Sequence, residues 1–169
     1  MKRLILIVSL LFLTLTGCIE QDEISFDILT GQDTVEIHTT WIDMGAVFTV
    51  NGEESTIMGS NINTSQLGLH TVTYEATHNG ETHHLRRYVM VSDQTPPVIT
   101  LNLGIDTIQL GGTWEDAGAT VTDNSGETLT IQVSGVVNTN VIGTYIITYK
   151  ATDSSENTAR VQRHVNVVD

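Results

Sequence analysis

The chain repeats itself, and the length of the repeat constrains its architecture more than any other feature. Residues 24–48 laid over residues 97–121, an offset of 73, match Gly31 with Gly104 and Asp33-Thr34-Val35 with Asp106-Thr107-Ile108. The same offset places Thr40-Trp41-Ile42-Asp43-Met44-Gly45-Ala46 on Thr113-Trp114-Glu115-Asp116-Ala117-Gly118-Ala119. A small insertion then widens the offset to 75, where Gly68 meets Gly143 and Thr73-Tyr74-Glu75-Ala76-Thr77 meets Thr148-Tyr149-Lys150-Ala151-Thr152; one residue further on, Arg87 meets Arg163. Copies of this length are too long to be solenoid turns and long enough to be small domains. The expected boundaries are a first domain over 24–93, a Pro-containing linker over 94–96 and a second domain over 97–169. Pro96 and Pro97 are the only prolines, and such a pair favours an extended, semi-rigid connection.

Within each copy the hydrophobic period is two. Tyr145, Ile147, Tyr149 and Ala151 alternate with Thr144, Ile146, Thr148 and Lys150, and Val161, Val165 and Val167 alternate with Gln162, His164 and Asn166. Asn79-Gly80 between two alternating runs is a strong hairpin signal, because a type I′ turn needs positive φ at both central residues. No stretch of comparable length combines helical spacing with helix caps. The fold class expected is all-β: two tandem antiparallel β-sandwiches.

The first residues are different in kind. Lys2 and Arg3 precede an apolar run from Leu4 to Leu15, too short for a permanent membrane span of about 20 residues and suited to a secretory leader. It ends in Leu15-Thr16-Gly17-Cys18, which resembles the bacterial lipobox. That resemblance implies a signal peptide over 1–17, a diacylglyceryl cysteine at Cys18, and a lipidated N-terminus with a short acidic tether over 18–23. Cys18 is the only cysteine, so an intramolecular disulfide is impossible. The expected location is the extracytoplasmic face of a cell membrane or outer membrane.

Net charge is −13, and beyond the leader only Arg86, Arg87, Lys150, Arg160 and Arg163 are basic. Counterion release from phosphates needs clustered cations, so nucleic acid is excluded as an expected partner. Docking of the folded surface onto anionic lipid is disfavoured for the same reason.

Pro97-Val-Ile-Thr-Leu, the segment from Leu110 through Trp114 and Asp116 to Asn124, Gly143-Thr-Tyr-Ile-Ile-Thr-Tyr-Lys-Ala-Thr-Asp and the closing Arg163-His-Val-Asn-Val together resemble the bacterial immunoglobulin-like family DUF5011, a module akin to HYR domains and also known from an insecticidal crystal toxin. The likeness covers nearly all of 97–169 and, more loosely, 24–93. It implies an immunoglobulin-like sandwich used for binding or spacing, with no particular ligand. The first copy departs from the pattern at Phe48-Thr-Val-Asn-Gly and at His78-Asn-Gly.

Four groups of residues are candidates for roles. Trp41 and Trp114, with Tyr74 and Tyr149, are assigned to the cores, since small domains without disulfides need their large side chains inside; sugar stacking is the other reading of the tryptophans. Arg87 and Arg163 fall on the inward parity of the last strand of each copy. A buried guanidinium must be satisfied, so they are paired with Asp43 and Asp116, the alternative being an escape of the head group to solvent. Asp123, Glu127, Asp153 and Glu156 supply the oxygen ligands calcium prefers, although Asp-Asn-Ser-Gly is also ordinary turn chemistry. His70, His78, His83 and His84 raise zinc, but His83 and His84 point to opposite faces of a strand and offer one cross-strand pair at best.

No nucleophile elbow and no phosphate loop are present, so no catalytic residue is assigned and an enzyme is not expected. No cofactor is expected, and calcium on the acidic loops is the one candidate. The reading of function is a lipid-anchored, non-catalytic binding or adhesion module for an unknown protein or polysaccharide ligand. The alternative is a structural spacer or accessory subunit of an envelope complex.

Overall fold

A computed structural model describes residues 21–169. The leader and Cys18 lie outside the described residues. Every described element is a strand. Among the described residues no helix is long and apolar enough to cross a membrane.

The first six strands are β1 (Ile24–Ile28), β2 (Thr34–Glu36), β3 (Ala46–Val50), β4 (Glu53–Ile57), β5 (Gly68–His78) and β6 (Glu81–Ser92). They form two three-stranded sheets, in the orders β1-β3-β4 and β2-β6-β5. The last six are β7 (Val98–Leu101), β8 (Thr107–Gln109), β9 (Ala119–Thr122), β10 (Gln132–Ser134), β11 (Gly143–Thr152) and β12 (Thr158–Val168). They form a two-stranded sheet β7-β9 and a four-stranded sheet β10-β11-β12-β8. Among the described residues no sheet mixes strands from the two halves of the chain. The architecture is that of an immunoglobulin-like β-sandwich.

The long hairpins β5–β6 and β11–β12 form because their sequences alternate. In β5, Val72, Tyr74 and Ala76 are buried while Thr71, Thr73, Glu75 and Thr77 face solvent. In β11 and β12, Ile147, Tyr149, Ala151, Arg163, Val165 and Val167 are buried. His78 pairs with Glu81 across Asn79 (φ 50°) and Gly80 (φ 81°), the positive-φ pair that the Asn-Gly sequence predicts. A second turn of this kind joins β3 to β4 through Asn51 (φ 51°) and Gly52 (φ 85°).

The first core gathers Val35, Ile37, Trp41, Ala46, Val72, Tyr74, Val89 and Val91, with Phe26, Ile57, Ile62 and Leu85 packed against it. Burying an aliphatic side chain contributes roughly 1.5–3 kcal/mol. In each half one short strand runs parallel to the last long strand: β2 beside β6 and β8 beside β12. This pairing carries Asp33 and Asp106, immediately before those strands, to the inward arginines.

The acidic stretch read from the sequence as a tether is held in place over its described part. Glu23 N–H donates to Asn51 Oδ1 (2.9 Å), and Asn51 N–H donates to Glu23 C=O (2.8 Å). Asn51 Nδ2 also donates to Asp22 Oδ1 (2.7 Å). The physical reason is that the β3–β4 turn offers a side-chain amide beside the start of β1.

Candidate functional site

Each half contains a buried arginine at the centre of a polar network. Arg87 is 5% exposed and Arg163 is 2% exposed. In the second half Arg163 Nη1 donates to Asp106 Oδ1 (2.8 Å), Nη2 donates to the carbonyls of Asn102 (2.6 Å) and Gly118 (3.2 Å), and Nε donates to Tyr149 Oη (3.3 Å). Tyr149 O–H in turn donates to Asp116 Oδ1, which also accepts from Gly118 N–H (2.9 Å). The first half repeats the arrangement. Arg87 Nη2 donates to Leu29 C=O, Tyr74 O–H donates to Asp43 Oδ1 (2.6 Å), and Asp43 accepts from Gly45 N–H (3.0 Å) and Gly59 N–H (2.8 Å).

The aspartates expected as partners therefore lie nearby, at 3.5 Å for Arg87 Nη1 to Asp43 and 3.8 Å for Arg163 Nε to Asp116. They are not the closest ones. Asp33 lies 3.3 Å from Arg87 Nε and Asp106 2.8 Å from Arg163 Nη1. In the second half the Tyr149 hydroxyl takes Asp116 and Arg163 hydrogen-bonds Asp106 in its place, whereas in the first half Arg87 Nη1 donates to Asp43 Oδ1 as expected and Asp33 adds a second ion pair. The repeated Asp-Thr pair, its aspartate just ahead of β2 and β8, was the available signal for it. Close approach also explains a repeated glycine: a Cβ on Gly31 would lie 2.8 Å from Arg87 Nη1, and one on Gly104 would lie 2.9 Å from Arg163 Nη1.

Burial pushes Asp43 up, but the donors Tyr74, Gly45 and Gly59 and the charge of Arg87 outweigh it and hold the carboxyl below its ordinary value of 3.8. Burial and the bond to Asp43 push Tyr74 up to about 12. A carboxyl with a depressed folded pKa contributes stability that is present above 3.8 and lost as pH falls through the folded value. The gap in melting temperature between wild type and Asp43→Asn should therefore hold steady from neutral pH to about pH 5 and close below 3.8. Thermal melts of both proteins across that range check this.

Trp41 is buried and Trp114 half-buried; their indole N–H groups donate to matched carbonyls, Gln32 (2.8 Å) and Ile105 (3.0 Å). Tyr74 and Tyr149 are fully buried. Among the described residues no histidine belongs to a three-ligand group, although His78 and His83 line one shallow pocket. His78 lies 2.8 Å from Asp22, His84 lies 3.3 Å from Glu75, His70 Nε2 meets Gln66 C=O, and the His83 ring packs on Phe48.

The second polar centre lies where the halves meet. One carboxylate oxygen from each of Asp93, Asp123 and Glu127 lies within 4.8 Å of the others, the one such group of three among the described residues. At that spacing each pair of full charges repels by about 3.5 kcal/mol or more at an effective dielectric near 20. Asp123 Oδ1 accepts from Ser125 N–H and Oγ, Glu127 Oε1 accepts from Ser154 N–H, and Asp93 Oδ1 accepts from Thr95 N–H. Asp93 Oδ2 and Asp123 Oδ2 are buried without a donor. Burial, with Glu36, Asp123 and Asp153 close by, pushes the Asp93 carboxyl up.

Asp153 is buried beside this group, its two oxygens accepting from Asn157 N–H (2.7 Å) and Nδ2 (2.8 Å); Asn157 Nδ2 also donates to Asp93 C=O (3.1 Å). Glu156 does not join them. It occupies a left-handed turn position (φ 72°) and stays exposed. Sequence reasoning missed Asp93, which sits ahead of the proline pair and joins the group only through the path of the chain.

Glu36 braces the same junction. Its carboxylate accepts from Gln94 N–H (3.0 Å), Thr95 Oγ1 (2.8 Å) and Asn124 Nδ2 (2.8 Å), joining the end of β2 to the linker and to the loop after β9.

Residues 104–167 match the family model of the bacterial surface protein, Ig-like domain. That span holds β8 to β11 and nearly all of β12, the network around Arg163 included, and it supports an Ig-like surface module in this part of the chain. No curated protein matches the chain.

Proposed function

We propose that the protein is a lipid-anchored, non-catalytic surface protein, held to the membrane through Cys18, whose two tandem Ig-like domains form a binding or adhesion module. The observation that carries the binding reading is the end of the second half farthest from the linker. The β11–β12 turn lies at the linker, where Asn157 meets Asp93, and the ten residues of β11 put its other end about 30 Å away. There the loops 110–118 and 135–142 come together through Gly111 N–H to Thr139 C=O (2.8 Å). They leave Leu110, Val136, Val141 and Ile142 exposed. Apolar side chains gathered on paired loops at the end of a rigid sheet suit a protein or polysaccharide surface better than bulk water. The spacer reading draws on a different observation, the bracing of the junction by Glu36.

The test is binding of the full chain in detergent to a panel of cell-wall polysaccharides, host polysaccharides and matrix proteins, alongside the double variant Leu110→Ser/Ile142→Ser. A saturable partner whose affinity falls tenfold or more in the variant is the expected result. Absence of any partner, or a partner indifferent to these loops, favours the spacer.

A further inference from the structure

Two corners of the duplicated fold occupy matching positions and are wired in opposite ways. In the first, the Asp22 carboxylate receives Asn51 Nδ2 (2.7 Å) and Asn79 Nδ2 (3.0 Å) and lies 2.8 Å from His78 Nε2. Every charge there meets a donor. In the second corner the positions matching Val50 and His78 are Asp123 and Asp153, so an apolar side chain and a cation-capable one are both replaced by carboxylates. Among the described residues no salt bridge engages Asp93, Asp123, Glu127 or Asp153.

Acidic residues near one another on a surface need no explanation, but Asp93 does. It is 6% exposed, its Oδ2 has no donor, and the neighbouring Asp123 Oδ2 is buried and unpaired as well. Buried carboxylate oxygens without donors are costly unless something positive meets them. The donor set is all oxygen, with no histidine or cysteine in the group, which selects a hard cation. Calcium takes oxygens at about 2.4 Å and so spans pairs up to about 4.8 Å apart, whereas magnesium at about 2.0–2.1 Å needs a tighter cage.

We propose that Asp93, Asp123 and Glu127 bind a calcium ion at the junction of the two halves, beside Asp153. Asp93 belongs to the segment leaving β6, and Asp123 and Glu127 belong to the loop after β9, so the ion ties the linker to the second half. The carbonyl of Asp93 is already held by Asn157, and Glu36 grips Gln94 and Thr95 one step further on. The ion supplies the positive charge that this otherwise finished joint lacks. This inference is independent of the binding reading above, because the site lies at the opposite end of the second half from the exposed loops.

The experiment is calcium titration of the full chain in detergent after chelator treatment, by calorimetry and by melting temperature at constant ionic strength, with sodium and magnesium chloride as controls. One saturable site is expected, with a Kd of about 10⁻⁴–10⁻³ M or tighter, together with a melting temperature that rises with calcium and not with matched sodium. Asp93→Asn and Asp123→Asn should weaken binding at least tenfold. In chelator both variants should melt at or above the wild-type temperature, because removing a repelling charge helps when no ion is present; this separates loss of a ligand from misfolding. No saturable heat and no calcium-specific shift up to about 10 mM would overturn the proposal. So would undiminished binding in both variants.

Discussion

Replacing Arg163 with methionine is expected to destabilise the second half by about 3–5 kcal/mol, the cost of removing one partner from a buried charge network. The side chain is 2% exposed and donates to Asp106, to the carbonyls of Asn102 and Gly118, and to the Tyr149 hydroxyl. Methionine fills much of the volume and satisfies none of these acceptors. A unit of this size has a total stability of roughly 4–10 kcal/mol, so the loss leaves it marginal. In a domain of 60–100 residues each kcal/mol lowers the melting temperature by about 4–8 °C, which puts the expected drop at about 12–40 °C. Arg163→Lys should recover only part of it, because an ammonium cannot reach Asp106 and the Asn102 carbonyl in the fork geometry of a guanidinium. Thermal melts and urea titrations of the three proteins read this directly. A methionine variant within about 1 kcal/mol of wild type would mean that the network is ornamental to stability.

The same network shows how much of the fold was legible in the sequence. Period-two alternation located β5, β6, β11 and β12, because a strand with one buried face must alternate, and the Asn79-Gly80 turn followed from backbone sterics alone. Duplication gave Trp41 and Trp114, Tyr74 and Tyr149, and Arg87 and Arg163 as matched pairs. Sequence could not rank the partners of each arginine. Asp43 and Asp116 stand in the conspicuous Trp-x-Asp segment, and Asp43 does receive Arg87, but the tyrosine hydroxyls bind both aspartates more closely, and that depends on how β5 and β11 lie over the opposite sheet. The parallel pairing that delivers Asp33 and Asp106 has no local signature, since it joins strands far apart in the chain.

The junction was less legible for the same reason. Asp123, Glu127 and Asp153 could be singled out by composition, but Glu36 meets Asn124 across 88 residues, and Asp93 joins the acidic group only through the path the chain takes from β6 to the prolines. Glu156 shared the composition of that group and not its geometry, because a left-handed turn residue faces outward. Short acidic motifs therefore report chemistry that could be used, and topology decides which side chains converge.

The second large effect concerns Cys18, and it follows from the arithmetic of membrane anchoring. Each buried methylene contributes about 0.8 kcal/mol, so one acyl chain holds a protein only marginally while two or more hold it durably. The folded part cannot replace that anchor: the chain carries a net charge of −13, and anionic headgroups repel it. Cys18→Ser is therefore expected to abolish incorporation of labelled palmitate and to leave the leader uncleaved, since the processing implied by the resemblance of Leu15-Thr16-Gly17-Cys18 to a lipobox requires the acylated thioether. Mass spectrometry of the purified chain distinguishes the outcomes: wild type should begin at a diacylglyceryl cysteine, and the variant should retain residues 1–17 without lipid. A wild-type chain that keeps its leader, or that is cleaved elsewhere and released without lipid, would break the anchoring half of the proposed function. It would leave the binding half standing, because the apolar loops near Leu110 and Ile142 owe nothing to the mode of attachment. The converse also holds: an acylated chain with silent loops would be a membrane-tethered spacer, and the calcium joint would then be the feature that sets how rigidly it stands.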